Sequence, residues 1–179
     1  QLNVRSWPGR GTVFSITLPL GDPALAQKSR PEQRGWIRSK GLNGIRILVI
    51  DNEPKILEGM GALLKGWSCE VAVALSGEEA LRVLDEKGWT PDIILADYHL
   101  GETDTGIMAL QQLAGLAGQP EHASHFTPAI VITADRTDEV RDEIQQAGAQ
   151  LLTKPVKPAA LRAMINKVIA NLKANNGKV

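Results

Sequence analysis

The sequence lacks the features that would tie it to an oxidising compartment, a membrane or nucleic acid. Its single cysteine, Cys69, cannot form an internal disulfide and is consistent with a reducing compartment. No apolar run is long enough to cross a bilayer, and no signal-peptide pattern is visible. Lys and Arg number 20, as do Asp and Glu, so the basic excess typical of nucleic-acid-binding domains is missing. We therefore expect a cytoplasmic chain that contacts neither nucleic acid nor membrane, and its start at Gln1 suggests a piece of a longer protein.

Charge and composition divide the chain into three parts, at residues 1–20, 21–43 and 44–179. Residues 1–43 carry seven basic residues against two acids, whereas residues 44–179 carry thirteen against eighteen. The middle part combines Pro23, Pro31 and several glycines with scattered charge, which predicts an exposed linker. The alternative is that this basic segment docks on the acidic part that follows.

Residues 4–20 predict a β-hairpin. Gly9 and Gly11 supply the turn, and polar and apolar residues alternate after it. Two strands are not stable alone in water, so the hairpin needs further chain, a partner or the following domain to complete it.

From residue 44 onward, strand and helix patterns alternate. Apolar runs at 45–50, 69–75, 93–96, 129–133 and 151–153 predict five strands, of which 93–96 is expected to be buried on both faces. Helical patterns follow at 54–65, 77–84, 107–116, 137–147 and 161–172. This alternation predicts an α/β fold, a flavodoxin-like (βα)5 doubly wound parallel sheet with strand order 2-1-3-4-5. The first helix is expected to bury one face formed by Ile56, Leu57, Met60, Leu63 and Leu64.

Polar side chains stand where these strands end. Asp51 and Asn52 follow the first strand, Asp97 ends the third, Thr133 ends the fourth and Lys154 follows the fifth. In the predicted order the first and third strands flank the switch point at which open α/β sheets bind ligands. Oxygen ligands without histidine or cysteine suit Mg²⁺. A carboxylate, a divalent ion, a hydroxyl and an ammonium are the groups needed to take up a phosphoryl group.

Each residue taken alone has a plainer explanation. Asp51 suits the N-cap of the first helix, and Asp97 suits a helix or turn cap. Thr133 suits any strand, and Lys154 suits an exposed surface. The joint occurrence of these groups at separate strand ends favours a phosphoryl site.

Four motifs, IRILVIDNEP, PDIILADYHL, AIVITAD and LLTKPVKP, together resemble the receiver domain of two-component response regulators over residues 44–174. The resemblance implies phosphorylation of Asp97. It implies Mg²⁺ bound by Asp51, Asn52, Asp97 and the backbone carbonyl of His99. It also implies that Thr133 contacts the phosphoryl oxygen, that Lys154 pairs with the phosphate, and that the Lys154–Pro155 peptide bond is cis.

Three positions depart from the family pattern. Asn52 stands in place of the second acid at the metal, Leu151 in place of the aromatic switch residue, and Gly101 in place of a proline in a loop one residue longer than usual. These departures keep a second interpretation open, that of a pseudo-receiver acting only as a protein-binding module. A third, a haloacid-dehalogenase-type phosphatase, needs an Asp where His99 stands.

The hairpin segment PGRGTVFSITLPL resembles the last strands of a histidine-kinase ATP-binding domain. With a linker and a receiver behind it, this resemblance implies the C-terminal part of a hybrid sensor histidine kinase, whose parent protein can be membrane-anchored. The fragment itself lacks the kinase nucleotide-binding boxes. His122 and His125 are spaced like metal ligands but are interpreted as loop residues, since no partner ligands accompany them.

The resemblance also implies the partners. The donor is expected to be the phosphohistidine domain of a histidine kinase or a histidine phosphotransfer protein. The phosphoryl group is then relayed onward, or its presence regulates the parent kinase. A homodimer through the fourth helix, fifth strand and fifth helix of the α/β part is a further expectation.

Overall fold

The computed structural model describes residues 2–19, 42–88, 90–101, 103–117 and 127–176. The chain divides into two compact units, Gln1–Ile37 and Arg38–Val179. The predicted linker lies almost wholly outside the described residues, as do His122 and His125.

The first unit contains the predicted hairpin. Strands β1 (Leu2–Trp7) and β2 (Gly11–Ile16) pair antiparallel. Gly9 and Gly11 have φ values of +71° and +99°, which favour glycine because a Cβ is disfavoured there. The register places four exposed apolar side chains on one face of the hairpin: Leu2, Val4, Phe14 and Ile16.

The second unit alternates strands with helices along the chain. The strands are β3 (Arg46–Ile50), β4 (Glu70–Ala74), β5 (Ile93–Asp97), β6 (Ala129–Thr133) and β7 (Gln150–Thr153). The helices are α1 (Pro54–Gly66), α2 (Gly77–Lys87), α3 (Gly106–Ala117), α4 (Asp138–Gln146) and α5 (Pro158–Asn176).

These five strands form one parallel sheet in the order β4-β3-β5-β6-β7. Counted within the unit, this is the order 2-1-3-4-5, so the predicted doubly wound fold is confirmed. Because all strands run in one direction, their carboxyl ends meet at the same edge of the sheet.

The core lies on both faces of the sheet because alternate strand residues point to opposite sides. In β3, Ile47 and Val49 pack in the cluster with α1 and α5, while Leu48 and Ile50 pack in the cluster with α2, α3 and α4. The central strands β3, β5 and β6 are therefore buried on both sides, as predicted for residues 93–96. The edge strands β4 and β7 have exposed residues as well as buried ones.

Helix faces agree with the periodicity except at one position. In α5, buried Leu161 and Ile165 lie on the expected stripe, and in α1 so do Leu57 and Leu64. The prediction that Ile56 is buried is wrong, since 40% of it is exposed. Ile56 is in the first turn of α1 and about 100° around the helix from Leu57, so it lies at the margin of the packed face.

Candidate functional site

Two buried carboxylates stand at the carboxyl edge of the sheet. Ile50 of β3 pairs with Ala96 of β5, so the residues that follow them, Asp51 and Asp97, end adjacent parallel strands. Only 5% of Asp51 and 7% of Asp97 is exposed. Buried charges are costly unless they are paired or bind a cation, so this placement needs an explanation.

Asp51 is fixed by the turn that leads into α1. Its Oδ1 accepts a hydrogen bond from the backbone N–H of Glu53 at 2.9 Å, and its own N–H donates to the carbonyl of Ala74 at 3.1 Å. The N-cap of α1 is Glu53, so the alternative that Asp51 is the N-cap is wrong. Burial and the charge of Asp97 raise the pKa of Asp51, against the lowering effect of the Glu53 N–H and of the Lys154 charge.

Lys154 brings a positive charge to Asp97. Its Nζ lies 2.9 Å from Oδ1 of Asp97, with about a third of the lysine side chain exposed. The contact is close but is an ion pair only, because its angles are not those of a hydrogen bond and Oδ1 has no hydrogen-bond donor. The N–H of Lys154 donates to the carbonyl of Thr133 at 2.7 Å, and the Lys154–Pro155 bond is cis, as expected.

Thr133 is fully buried at the end of β6. Its Oγ1 accepts a hydrogen bond from the N–H of Asp135 at 3.0 Å, and Oδ1 of Asp135 accepts from the N–H of Thr137 at 2.8 Å. Hydrogen bonds from Thr137 lower the pKa of Asp135. The hydroxyl at the site is therefore connected to the residues that lead into α4.

The loop after Asp97 folds back on itself. His99 is exposed and lies opposite Thr105 in an antiparallel bridge. The hydrogen bonds of this bridge are made by the flanking residues: the N–H of Leu100 donates to the carbonyl of Asp104, and the N–H of Gly106 donates to the carbonyl of Tyr98. Gly106 then approaches the strand so closely that an added Cβ would lie 2.3 Å from the carbonyl oxygen of Asp97. No prediction from sequence singled out Gly106; the only signal was its place just before the periodic helix.

The predicted metal ligands do not form a purely acidic cluster. Within the described ranges, no group of three or more His, Cys, Asp and Glu side chains is placed to hold one ion. Two of the four predicted ligands are of other kinds: the side-chain amide oxygen of Asn52, which is exposed, and the backbone carbonyl of His99. Asp51 and Asp97 thus remain the two carboxylates of the candidate site.

Tyr98 is a residue of the site that sequence reasoning missed. Its ring is 8% exposed, and its hydroxyl donates a hydrogen bond to Oε2 of Glu143 on α4 at 2.5 Å. The bond to Glu143, together with burial, raises the pKa of Tyr98 to about 12, so the phenol is a neutral donor near neutral pH. The two residues are 45 positions apart, and no local pattern pairs them.

An open parallel α/β sheet with buried carboxylates at its carboxyl edge defines a class of doubly wound proteins that bind ligands at that edge. The chain belongs to the response regulator receiver domain family, whose family model matches residues 47–166. It is 31% identical over 136 residues to the transcriptional regulatory protein ZraR of Salmonella typhimurium, covering 75% of this chain and 29% of that protein.

Two further comparisons, one with a sensor kinase and one with a solved structure, agree with this family assignment. The autoinducer 2 sensor kinase/phosphatase LuxQ of Vibrio harveyi is 30% identical over 168 residues, covering 90% of this chain and 18% of LuxQ. The solved structure of the chemotaxis protein CheY4 of Vibrio cholerae superimposes with a TM-score of 0.58 at 25% identity, covering 70% of this chain and 98% of CheY4. The chain spans less than a third of the length of ZraR and of LuxQ. Across the part of the chain that the structure describes, no helix is both long and apolar enough to span a bilayer.

Proposed function

We propose that this chain is a phosphoacceptor that takes a phosphoryl group onto Asp97 from a phosphohistidine. The donor is the phosphohistidine domain of a histidine kinase or a histidine phosphotransfer protein, and the setting is the cytoplasm. The observation that carries the proposal is the contact between Lys154 Nζ and the buried Oδ1 of Asp97, an oxygen that accepts no hydrogen bond. Such an oxygen is available to form a new bond, and a cation already stands beside it.

The transfer exchanges one bond to phosphorus for another. A carboxylate oxygen of Asp97 forms a bond to phosphorus, and the bond from phosphorus to the donor imidazole nitrogen breaks. The electron pair of that bond stays on the nitrogen, which then takes up a proton. In this proposal Lys154 neutralises negative charge on the transferred group, and the hydroxyl of Thr133, buried at the end of β6, donates to one of its oxygens.

The residues at the site fit a bound Mg²⁺. Burial and, to a smaller extent, the charge of Asp97 raise the pKa of Asp51. Two buried carboxylates at adjacent strand ends are oxygen ligands that a hard cation binds. Asp51, Asp97, Asn52 and the carbonyl of His99 would hold the ion, which would supply positive charge to the phosphoryl oxygens. Asn52 contributes a neutral oxygen, so we expect weaker binding than with a third carboxylate.

Acetyl phosphate with Mg²⁺ tests the proposal. The wild-type chain is expected to gain the mass of one phosphoryl group, and Asp97→Asn is expected to abolish the gain. Asp104→Asn is the matched control, because Asp104 is an exposed acid in the same loop. No mass gain in the wild-type chain, or an equal gain in Asp97→Asn, would contradict the assignment; the first result would favour the pseudo-receiver interpretation.

We also infer that residues 1–20 are the end of a histidine-kinase ATP-binding domain and that the chain is the C-terminal part of a hybrid kinase, with residues 21–43 as linker and 44–179 as receiver. The similarity to LuxQ covers 90% of the chain, whereas the family model covers residues 47–166, so this similarity extends beyond the receiver. The exposed apolar face of the hairpin is what a sheet cut from a larger domain presents.

The coding sequence upstream of Gln1 decides this inference. An open reading frame that continues upstream and encodes nucleotide-binding boxes is expected, and a stop codon directly upstream would contradict it. Onward relay of the phosphoryl group, control of the parent kinase and a homodimer through α4, β7 and α5 stay predictions.

A further inference from the structure

Tyr98 cannot move independently of the phosphoacceptor that precedes it. Its N–H donates to the carbonyl of Ile132 on β6 at 2.9 Å, and its carbonyl accepts from the N–H of Gly106 at the start of α3 at 2.8 Å. The backbone beside Asp97 is thus held from both sides, so a change at the Asp97 carboxylate reaches Tyr98 through one peptide unit.

The side chain of Tyr98 reaches a different element, helix α4. Its ring packs in the core cluster that includes Val140 and Ile144, the two buried residues of α4. Its hydroxyl donates to Glu143, the residue before Ile144. A rigid ring with a polar tip therefore spans the distance from the phosphoacceptor strand to α4.

Leu151 cannot make a contact of this kind. It pairs with Val131 in the sheet register and packs, half-buried, against the same cluster as Tyr98. An aliphatic side chain has no hydroxyl to bond to α4. Tyr98, which follows β5 and is separated from β7 by β6, supplies the aromatic group and the hydrogen bond instead.

Thr133 provides a second connection between the site and α4. Its hydroxyl accepts the N–H of Asp135, and the carboxylate of Asp135 accepts the N–H of Thr137, the N-cap of α4. A phosphoryl group on Asp97 adds volume and negative charge. If the Thr133 hydroxyl rotates to donate to that group, its hydrogen bond from the Asp135 N–H is altered. The start of α4 is then free to shift while Glu143 is still held by Tyr98.

We propose that Tyr98 is a positioning residue that couples phosphorylation of Asp97 to helix α4, and that its bond to Glu143 favours the α4 position of the unphosphorylated chain. The inference rests on the proposed function. A bond made in one of two states biases the equilibrium toward that state, so removing it moves α4 toward its phosphorylated behaviour without any phosphoryl group.

Amide hydrogen exchange of residues 138–147, measured with and without acetyl phosphate and Mg²⁺, tests the coupling. In the wild-type chain, phosphorylation is expected to speed exchange in α4 by about fivefold, the lower end of ordinary coupling between sites. Tyr98→Phe keeps the ring and removes only the hydroxyl, so it is expected to exchange faster before phosphorylation and to show a smaller further increase. Glu143→Gln should act in the same direction, while Asp142→Asn removes a charge from the same helix and should behave as wild type.

Two outcomes overturn the inference and are distinguishable from each other. If the wild-type chain takes up no phosphoryl group, the proposed function fails and the coupling fails with it. If the wild-type chain is phosphorylated but Tyr98→Phe shows the same phosphorylation-dependent change in exchange as wild type, the hydroxyl is merely structural and only the coupling fails.

Discussion

Asp51 is a residue whose contribution to stability opposes its proposed role. Its carboxylate is buried beside that of Asp97, and its raised pKa means that the folded chain binds the proton more tightly than the unfolded chain does. Protonated Asp51 is therefore tolerated, whereas ionised Asp51 destabilises the fold. The penalty is absent below the ordinary pKa of 3.8 and grows as the pH rises through the higher pKa of the folded state.

Asp51→Asn is expected to stabilise the metal-free chain at pH 7, because it removes the buried charge and retains an oxygen for the Glu53 N–H. The same variant should lose most phosphoryl uptake with acetyl phosphate and Mg²⁺. Thermal unfolding in a chelator between pH 3 and 8 measures the first effect. A gain in stability that persists undiminished at pH 3 would show that ionisation of Asp51 is not its source.

At the scale of residues, the sequence predicted the polar side chains at the strand ends but not the side chains that tertiary packing brings to the site. Asp97 and Lys154 were expected together because one ends and the other follows a strand of the same parallel sheet, and they lie in contact. Tyr98 and Glu143 come from different elements, and nothing in their local sequence specifies that the ring turns toward α4. Side-chain direction just past a strand end depends on packing that only the folded chain supplies.

At the scale of elements, α3 begins in a space that admits only glycine. A Cβ on Gly106 would lie 2.3 Å from the Asp97 carbonyl oxygen and 3.1 Å from its carbon, both backbone atoms that cannot move without displacing β5. Gly59, in the middle of α1, has no atom within 4 Å of an added Cβ. The two glycines therefore make a matched pair.

Gly106→Ala is expected to destabilise the chain by about 1–3 kcal/mol through overpacking and to slow phosphoryl uptake, because the clash displaces Asp97. Gly59→Ala is expected to stabilise it by up to about 1 kcal/mol through helix propensity. Urea unfolding of both variants measures the free energies. A neutral Gly106→Ala with normal uptake would show that the start of α3 can withdraw from β5 at little cost.

The elements themselves were predictable because their patterns are strong and local. Continuous apolar runs marked the strands. The N-cap of α2 also has a local signal, Ser76 followed three residues later by Glu79: the Glu79 N–H donates to Ser76 Oγ, and Glu79 Oε2 accepts from the N–H of Leu75, the residue before the N-cap. The exposure of Ile56 was not predictable, since helical periodicity gives the direction of a side chain but not how wide the packed face of the helix is.

At the scale of the whole molecule, the two units differ in how they can be stable. Both core clusters of the described chain are built from residues of Arg38–Val179, whereas every described hairpin residue is exposed. A two-stranded hairpin without a covered face does not persist alone in water. The α/β unit has buried apolar layers on both faces of its sheet and meets the ordinary requirement for independent folding.

A chain of residues 38–179 is therefore expected to unfold cooperatively at the same melting temperature as residues 1–179 and to take up phosphoryl groups equally well. The peptide 1–37 should show no cooperative transition by circular dichroism. Phe14→Ser is the internal control, because Phe14 is 69% exposed and its replacement should leave the melting temperature of the full chain unchanged. A lower melting temperature for residues 38–179 would show that the first unit stabilises the second. Docking of the basic segment on the acidic α/β unit would then be the better interpretation of residues 21–43.

Repeating the comparison in high salt would identify that docking, since an electrostatic contribution to the melting temperature is screened while an apolar one is not.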